Sequence, residues 1–297
     1  MTKNGRPVGV IGTGLMGTAC AKRLLAAGYQ VLGHDADANK LKALEALGGR
    51  PARSIAEVAG ACDVAVVAVF NTGQVEEVLE GPQGLAAARP ESAGPLTVLC
   101  VSTCDPDRIT ALAARLPGRR VRFVEAPVSG TSEQTARGES LGLIGGDRAA
   151  ADAARAVIEA ICPRWHHLGA AGNGGRAKLA INLILGINRA ALAEGLVFAE
   201  RMGLDPAAFL PVARDSAAYS QIMDVKGKKM LTGDFAPQGY VTQSLKDFSL
   251  MLEQAQRLKQ RLPLGETYAR LMEGCVAHGE GEFDNSAVIR EIRRRTG

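Results

Sequence analysis

The sequence predicts an α/β domain built on a doubly wound parallel sheet, followed by an all-helical domain. Three observations carry this. Up to Leu168, short β-branched runs alternate with Ala-, Leu- and Glu-rich stretches of helical spacing, the rhythm of strand, helix, strand. The run Val64–Val69 ("VAVVAV") is apolar without alternation, as a strand covered on both faces is. From Gly174 onward no strand pattern recurs and helical stretches follow one another. The boundary therefore falls near residue 170, giving domains 1–170 and 171–297, and 297 residues suffice for both.

In order, the predicted strands are Val8–Ile11, Gln30–Gly33, Val64–Val69, Thr97–Val101, Val121–Val124 and Leu141–Ile144. Helices Thr18–Ala27, Lys40–Leu47, Gln74–Leu79 and Pro106–Leu116 lie between most of them, and Asp147 of "IGGD" reads as the cap of another. A long helix then joins the domains, from Arg176 to about Met202, spanning about 40 Å. Further helices are expected at Pro206–Arg214, Gln221–Leu231, Thr242–Arg261, Gly265–His278 and Asn285–Arg294.

Composition narrows the function. Thirty-five basic and 31 acidic residues give a net charge of +4, too mild and too mixed for a nucleic-acid binder. The one basic run, Arg293–Arg295, suits a helix C-terminus. Aromatic residues are only 4%, which favours close-packed helices and parallel strands over a β-sandwich. The cysteines (Cys20, Cys62, Cys100, Cys104, Cys162, Cys275) show no CxxC spacing, and the adjacent His166 and His167 diverge, so no metal site is expected. They read as buried, reduced thiols. The N-terminus lacks the apolar core of a signal peptide, and no stretch reaches the ~18 apolar residues of a membrane span. A cytoplasmic protein with no membrane partner is the expectation.

The stretch "VGVIGTGLMGTACAKRLLAAGYQVLGHD" places Gly12, Gly14 and Gly17 in a G-x-G-x-x-G turn between a strand and a helix, with Asp35 ending the next strand. That context points to a dinucleotide and a Rossmann-type domain. Gly12 permits the tight turn, Gly14 lets main chain approach a pyrophosphate at the helix start, and Gly17 lets helix and strand pack closely. Thr13, Leu15 and Met16 complete the loop. Asp35 accepts hydrogen bonds from ribose hydroxyls and repels an added phosphate, so NAD is expected rather than NADP. Lys40, the nearest cation, stands one helical turn too far along to offset it.

Four ordered blocks then resemble the β-hydroxyacid dehydrogenase family, which includes 3-hydroxyisobutyrate dehydrogenase and tartronate semialdehyde reductase and is related to 6-phosphogluconate dehydrogenase. They are "GTGLMG", "VEAPVSGTSEQTARGES", "GNGGRAKLAINL" and "LKDFSLML", supported by "VSTCDP" and "AERMGLDP". The likeness covers about residues 7–292. Thr13, Cys20 and Arg23 stand where the family usually has Leu, Met and Asn; Thr131 replaces the second Gly of Ser-Gly-Gly; Val69 and Phe70 replace Leu-Pro.

The resemblance implies hydride transfer between NAD and a short β-hydroxy acid or its semialdehyde, with a helical domain that also forms dimers or tetramers. It implies that the long helix lines a cleft, with Lys178 as the catalytic acid/base and Asn182, one turn on, holding substrate. Leu185 and Arg189 continue that stripe. Desolvation and the cofactor's charge would bring the amine from about 10.4 toward neutrality, as proton transfer requires. Lys178 and Asn182 would then find their partners in the substrate. Ser129, Gly130 and Thr131 are expected to cradle its carboxylate, with Glu125 and Pro127 setting that loop. Thr103 would contact the nicotinamide part, Val69 and Phe70 would lie near it, Lys246 would lie near the cofactor, and Asp247 would orient its neighbours at the substrate.

Two other functions fit the same pattern. An imine reductase uses the scaffold without a Lys at the matching position, which Lys178 opposes. A non-catalytic NAD-binding sensor or interaction module would be free to lose the base and cradle that this chain keeps.

Overall fold

The computed structural model describes residues 5–116, 118 and 120–295. It divides into two compact units, one ending at Lys178 and the other beginning at Leu179. The division lies inside the long helix, a little beyond the change of sequence pattern.

The first unit holds one nine-stranded sheet: β1 (Val8–Ile11), β2 (Val31–His34), β3 (Arg50–Pro51), β4 (Val64–Val67), β5 (Leu96–Cys100), β6 (Val121–Glu125), β7 (Val128–Ser129), β8 (Leu141–Gly146) and β9 (Arg164–His167). Its order is β3-β2-β1-β4-β5-β6-β8-β7, with β9 paired to β8. Strands β1 to β6 are parallel, as expected. The sheet then departs from the expectation, because β8 runs antiparallel to both β6 and β7. The segment between β6 and β8 carries the two-residue β7 and the six-residue helix Ser132–Arg137, too short a crossover to return the chain to the far end of the sheet. Chain order reverses between β1 and β4, the switch point at which open α/β sheets bind ligands beyond their strand ends.

The non-alternating strands are explained by burial on both faces. Val8, Val10, Val64, Val66, Leu99 and Val124 pack on one side. Ile11, Leu32, Ala65, Val67, Val98 and Phe123 pack on the other. Helices α1 (Leu15–Ala26), α2 (Ala38–Ala46), α3 (Ile55–Ala61), α4 (Thr72–Glu80), α5 (Leu85–Ala88), α6 (Pro106–Arg115), α7 (Ser132–Arg137), α8 (Arg148–Ala153) and α9 (Arg155–Ile161) cover them. Most begin where a short polar side chain accepts a free N–H: Asp37 for α2, Ser54 for α3, Asn71 for α4, Asp105 for α6 and, as expected, Asp147 for α8. Helices α3, α5, α7 and α9 have four to seven residues, too few for a helical period to show in sequence.

Helix α10 (Asn173–Arg201) begins in the first unit and continues into the second, 29 residues and about 43 Å long. By length and composition it could cross a membrane, contrary to the reading that no stretch qualifies; its leucines, isoleucines and alanines outweigh its few charges, and core helices of soluble proteins pass the same test. The second unit adds α11 (Pro206–Asp215), α12 (Gln221–Thr232), α13 (Val241–Arg257), α14 (Pro263–Ala277), a 3-10 turn at Asn285–Ala287 and α15 (Val288–Arg295). Leu192, Leu196, Phe248, Met251, Tyr268, Met272 and Ile289 form its core. All six cysteines are buried free thiols. Arg293, Arg294 and Arg295 end α15 and pair with Glu200, Glu280 and Glu291.

Candidate active site

The glycine turn sits at the end of β1. Gly12 adopts φ +86, and a Cβ there would lie 2.5 Å from the Ala68 carbonyl oxygen. A Cβ on Gly17 would lie 1.8 Å from the Gly12 carbonyl oxygen, so only glycine lets α1 start this close to β1. Gly14 differs: a Cβ there would meet nothing within 4 Å, and no side chain caps α1. The turn is closed on its protein side at Gly12 and Gly17 and open at Gly14, where the first N–H groups of α1, including those of Leu15 and Met16, are left for an anion. These residues fit the pyrophosphate of a dinucleotide.

Asp35 follows β2 directly. Its Oδ2 accepts from the Thr13 N–H at 2.7 Å and the Thr13 hydroxyl at 3.3 Å, and its Oδ1 accepts from the Asp37 N–H at 2.9 Å. Burial pushes the carboxyl upward, but the N–H groups of Asp37 and Thr13 and the charge of Lys40 outweigh it and hold it below the usual range. Asp35 is therefore ionised at neutral pH, an acceptor suited to ribose hydroxyls. The expectation about Lys40 is corrected: the flexible side chain reaches back along α2, and its Nζ lies 3.9 Å from Asp35 Oδ1.

Val69, Phe70 and Thr103 occupy the loops after β4 and β5, and the order β1-β4-β5 brings them to the same edge as the glycine turn. The Val69 carbonyl accepts from the Ser102 hydroxyl at 2.7 Å. Phe70 is half exposed and donates its N–H to Gln74 Oε1, while Thr103 is buried. The Asp105 N–H donates to the Thr72 hydroxyl at 2.9 Å, tying the start of α6 to that of α4.

A second corner of this unit positions Lys178. Glu125, at the end of β6, is 4% exposed and accepts from the N–H groups of Gly172 and, at 3.0 Å, Gly175. Burial pushes this carboxyl up, and those N–H groups with that of Gly174 only partly offset it. A Cβ on Gly145 or Gly175 would lie 2.6 or 2.9 Å from a Glu125 carboxylate oxygen, and one on Gly174 would lie 3.1 Å from its Cβ. The glycines of "IGGD" and "GNGG" thus make room for a carboxylate that caps α10. This role for Glu125 was not evident in the sequence, which suggested only an influence on the following loop.

Lys178, on the second turn of α10, is 8% exposed, and its Nζ donates to the Val128 carbonyl at 2.6 Å. That carbonyl adjoins Ser129, Gly130 and Thr131, with Gly130 at φ +146. The cradle reading needs correction at Thr131. Its N–H donates to Gln134 Oε1 at 2.9 Å and its hydroxyl accepts from the Gln134 N–H at 3.1 Å, the reciprocal cap of α7. Its backbone donor is therefore committed, while those of Ser129 and Gly130 have no such role in the cap.

In the second unit, Asn182 Nδ2 donates to Asp247 Oδ2 at 2.8 Å, and Lys246 Nζ lies 2.8 Å from Asp247 Oδ1. Asp247 holds both neighbours, as the resemblance implied. Lys178 and Asn182 each have a protein partner, so the expectation that their partners arrive only with substrate is corrected. Burying either group unpaired would be costly; the fold gives Lys178 the Val128 carbonyl and Asn182 the Asp247 carboxylate. The buried pair Lys226–Asp284, 2.8 Å apart, carries no local signature among the residues around either partner. Among the described residues, no group of three His, Cys, Asp or Glu is placed to hold a metal.

This fold and glycine turn define a nicotinamide-dinucleotide oxidoreductase scaffold. Residues 7–169 match the NAD-binding domain of 6-phosphogluconate dehydrogenase, and residues 172–292 match the NAD-binding domain of NADP-dependent 3-hydroxyisobutyrate dehydrogenase. The chain belongs to the β-hydroxyacid dehydrogenase family. It is 35% identical to L-threonate dehydrogenase of Cupriavidus necator, over 96% of this chain and 95% of that one. It is 31% identical to 2-hydroxy-3-oxopropionate reductase of Escherichia coli, over 96% of both. The crystal structure of 3-hydroxyisobutyrate dehydrogenase from Salmonella typhimurium superposes with a TM-score of 0.87 at 29% identity, covering 96% of this chain and 99% of that one.

Proposed function

We propose that this protein oxidises a short β-hydroxy acid with NAD, or catalyses the matching reduction, and that Lys178 is its general acid/base. The observation that carries the reading is the buried Lys178 amine, held 2.6 Å from the Val128 carbonyl beside the Ser129–Gly130 turn. When bound, NAD supplies the ring that takes the hydride. The chain's own residues do the rest. The Gly130 N–H and the Ser129 hydroxyl hold the substrate carboxylate. Asn182, oriented by Asp247, holds the hydroxyl end, and Lys178 Nζ receives the hydroxyl proton or returns it in reduction. The ionised Asp35 favours NAD over NADP, with Lys40 tempering the discrimination.

The reading extends to assembly and location. Ile184 and Phe198 on α10, with Met202 just past its end, are apolar and exposed, which supports a homo-oligomer. Six buried, unpaired thiols support a cytosolic setting.

The test is a spectrophotometric panel of L-threonate, 3-hydroxyisobutyrate, glycerate and related acids with NAD and NADP. At least one acid should be turned over with NAD, and Lys178→Ala should lower kcat at least about 100-fold while NAD still binds. A Lys178→Ala enzyme of near-normal activity would disprove the assignment of the base.

A further inference from the structure

Within the second unit, α10 leaves one face uncovered. Ile184, Ile187, Ala191, Phe198 and Met202 follow one another at steps of three, four and seven residues, so they share one stripe along the helix. Ile184 and Met202 are more than half exposed, and Phe198 is 62% exposed. Beside Phe198 a groove of about 520 Å³ opens where α10 meets α15. Val197 and Ile292, both nearly buried, line it together with Glu194, Phe198 and Arg201. Apolar cavities of about 150 Å³ accept benzene, so the groove has room for an aromatic ring. Glu194 and Arg201 are exposed, and among the described residues neither forms an ion pair, although the adjoining Glu200 pairs with Arg293 at 3.1 Å. Seven residues separate them, which places both on the same flank of the stripe but about 10.5 Å apart along the axis, too far to pair with each other.

An exposed ring, a groove that admits one and two unmatched opposite charges on one flank form a surface complementary to itself. We propose that a second copy of this chain covers this face, its α10 lying antiparallel to the first about a twofold axis level with Val197 and Phe198. That pairing sets Glu194 of each copy opposite the partner's Arg201, and Phe198 of each copy opposite the partner's Val197, in the groove. A parallel pairing would set Glu194 against Glu194 and Arg201 against Arg201, so the charges select the antiparallel one. Ala191 and Gly195 let the two helices approach closely, and a Cβ on Gly195 would meet nothing within 4 Å of its own chain. The assignment rests on the reading of the protein as a homo-oligomer and specifies the surface and its register.

The experiment is sedimentation equilibrium of the full chain over a concentration series. The wild type should associate, and Phe198→Asp should raise the dissociation constant of one doubling step at least about 100-fold, so that a dimer falls to monomers or a tetramer to dimers. If that variant does not fold, Phe198→Gln carries the same comparison. Glu194→Arg and Arg201→Glu each bring like charges together at two symmetric places, and each should raise the constant at least about tenfold. Combining the two restores opposite charges in exchanged order and should return the constant to within about threefold of the wild type. A double variant as weak as the single ones overturns the proposed pairing. Association indifferent to Phe198→Asp overturns the proposal while the homo-oligomer stands, and a wild type that stays monomeric overturns both. Flotation of the monomer with phosphatidylglycerol vesicles, lost in Phe198→Asp, would assign the stripe to a lipid surface and overturn the proposal as well.

Discussion

In the first unit Asp35, Glu125 and Lys178 are held by main-chain groups: the N–H of Thr13, the N–H groups of Gly172 and Gly175, and the carbonyl of Val128. In the second unit Asn182, Lys226 and Arg189 are held by other side chains: Asp247, Asp284 and Tyr268. Main chain is fixed by the path of the sheet, so a group anchored to it keeps its place when neighbouring side chains change. A side-chain network keeps its place only while both partners remain. The first arrangement tolerates change around it; the second changes only when both partners change.

The sharpest way to break this contrast is to remove one partner from the second unit. Asp284→Asn leaves the Lys226 ammonium buried without its carboxylate and should cost about 3–5 kcal/mol, read from urea unfolding, with NAD affinity nearly unchanged. A cost below about 1 kcal/mol would mean that the pair is not a fixed point of the unit. Next in size, Gly17→Ala forces a Cβ to 1.8 Å from the Gly12 carbonyl oxygen. The turn must shift, and NAD affinity should fall by about 2–3 kcal/mol in a fluorescence titration, more than overall stability does. A milder change, Asp35→Asn, keeps an oxygen acceptor but removes the charge; the ratio of kcat/KM for NAD over NADP should drop about tenfold.

The smallest effect concerns pH and separates two carboxylates that are both held by N–H groups. Asp35 is held below its ordinary value, because its hydrogen bonds and Lys40 outweigh burial, so the stability it confers is present above about pH 4 and is lost as pH falls further. Glu125 is pushed up by burial, so the folded state retains a proton that the unfolded state has released, and stability declines as pH rises from about 4.5 through the raised value. In a series of Tm against pH, Asp35→Asn should flatten the acid limb and Glu125→Gln the limb above it. The reverse pattern would show that the depth of Glu125 does not set its charge.

Local features were the legible ones. Gly12, Gly14, Gly17, Asp35 and the helix cap Asp147 are read over a few neighbouring residues, and the structure shows Gly12 and Gly17 closing the turn, Asp35 directly after β2 and Asp147 capping α8. "TSEQ" carried its own signal too, a capping box, which explains why Thr131 turns from the cradle to Gln134. What stayed hidden depends on distant partners. Lys226, Lys228 and Lys229 look alike in sequence, yet only Lys226 is buried, because Asp284 arrives from 58 residues away. Glu125 finds Gly175 from a distance of 50 residues. The reversal of β8 was hidden for another reason: an antiparallel edge strand has the same apolar composition as a parallel one.

The Glu125 corner has a consequence for how this chain can diverge. Gly145, Gly174 and Gly175 each border one carboxylate or its stem, but a methyl at Gly145 would also lie 2.7 Å from the Gly174 nitrogen and one at Gly174 2.8 Å from the Leu143 carbonyl oxygen, so only Gly175 is closed by that side chain alone. Shortening it to aspartate vacates volume but strands the amides it receives. Drift here is therefore closed to single steps, and saturation mutagenesis should reveal three intolerant positions of which only Gly175 regains tolerance when residue 125 is changed first.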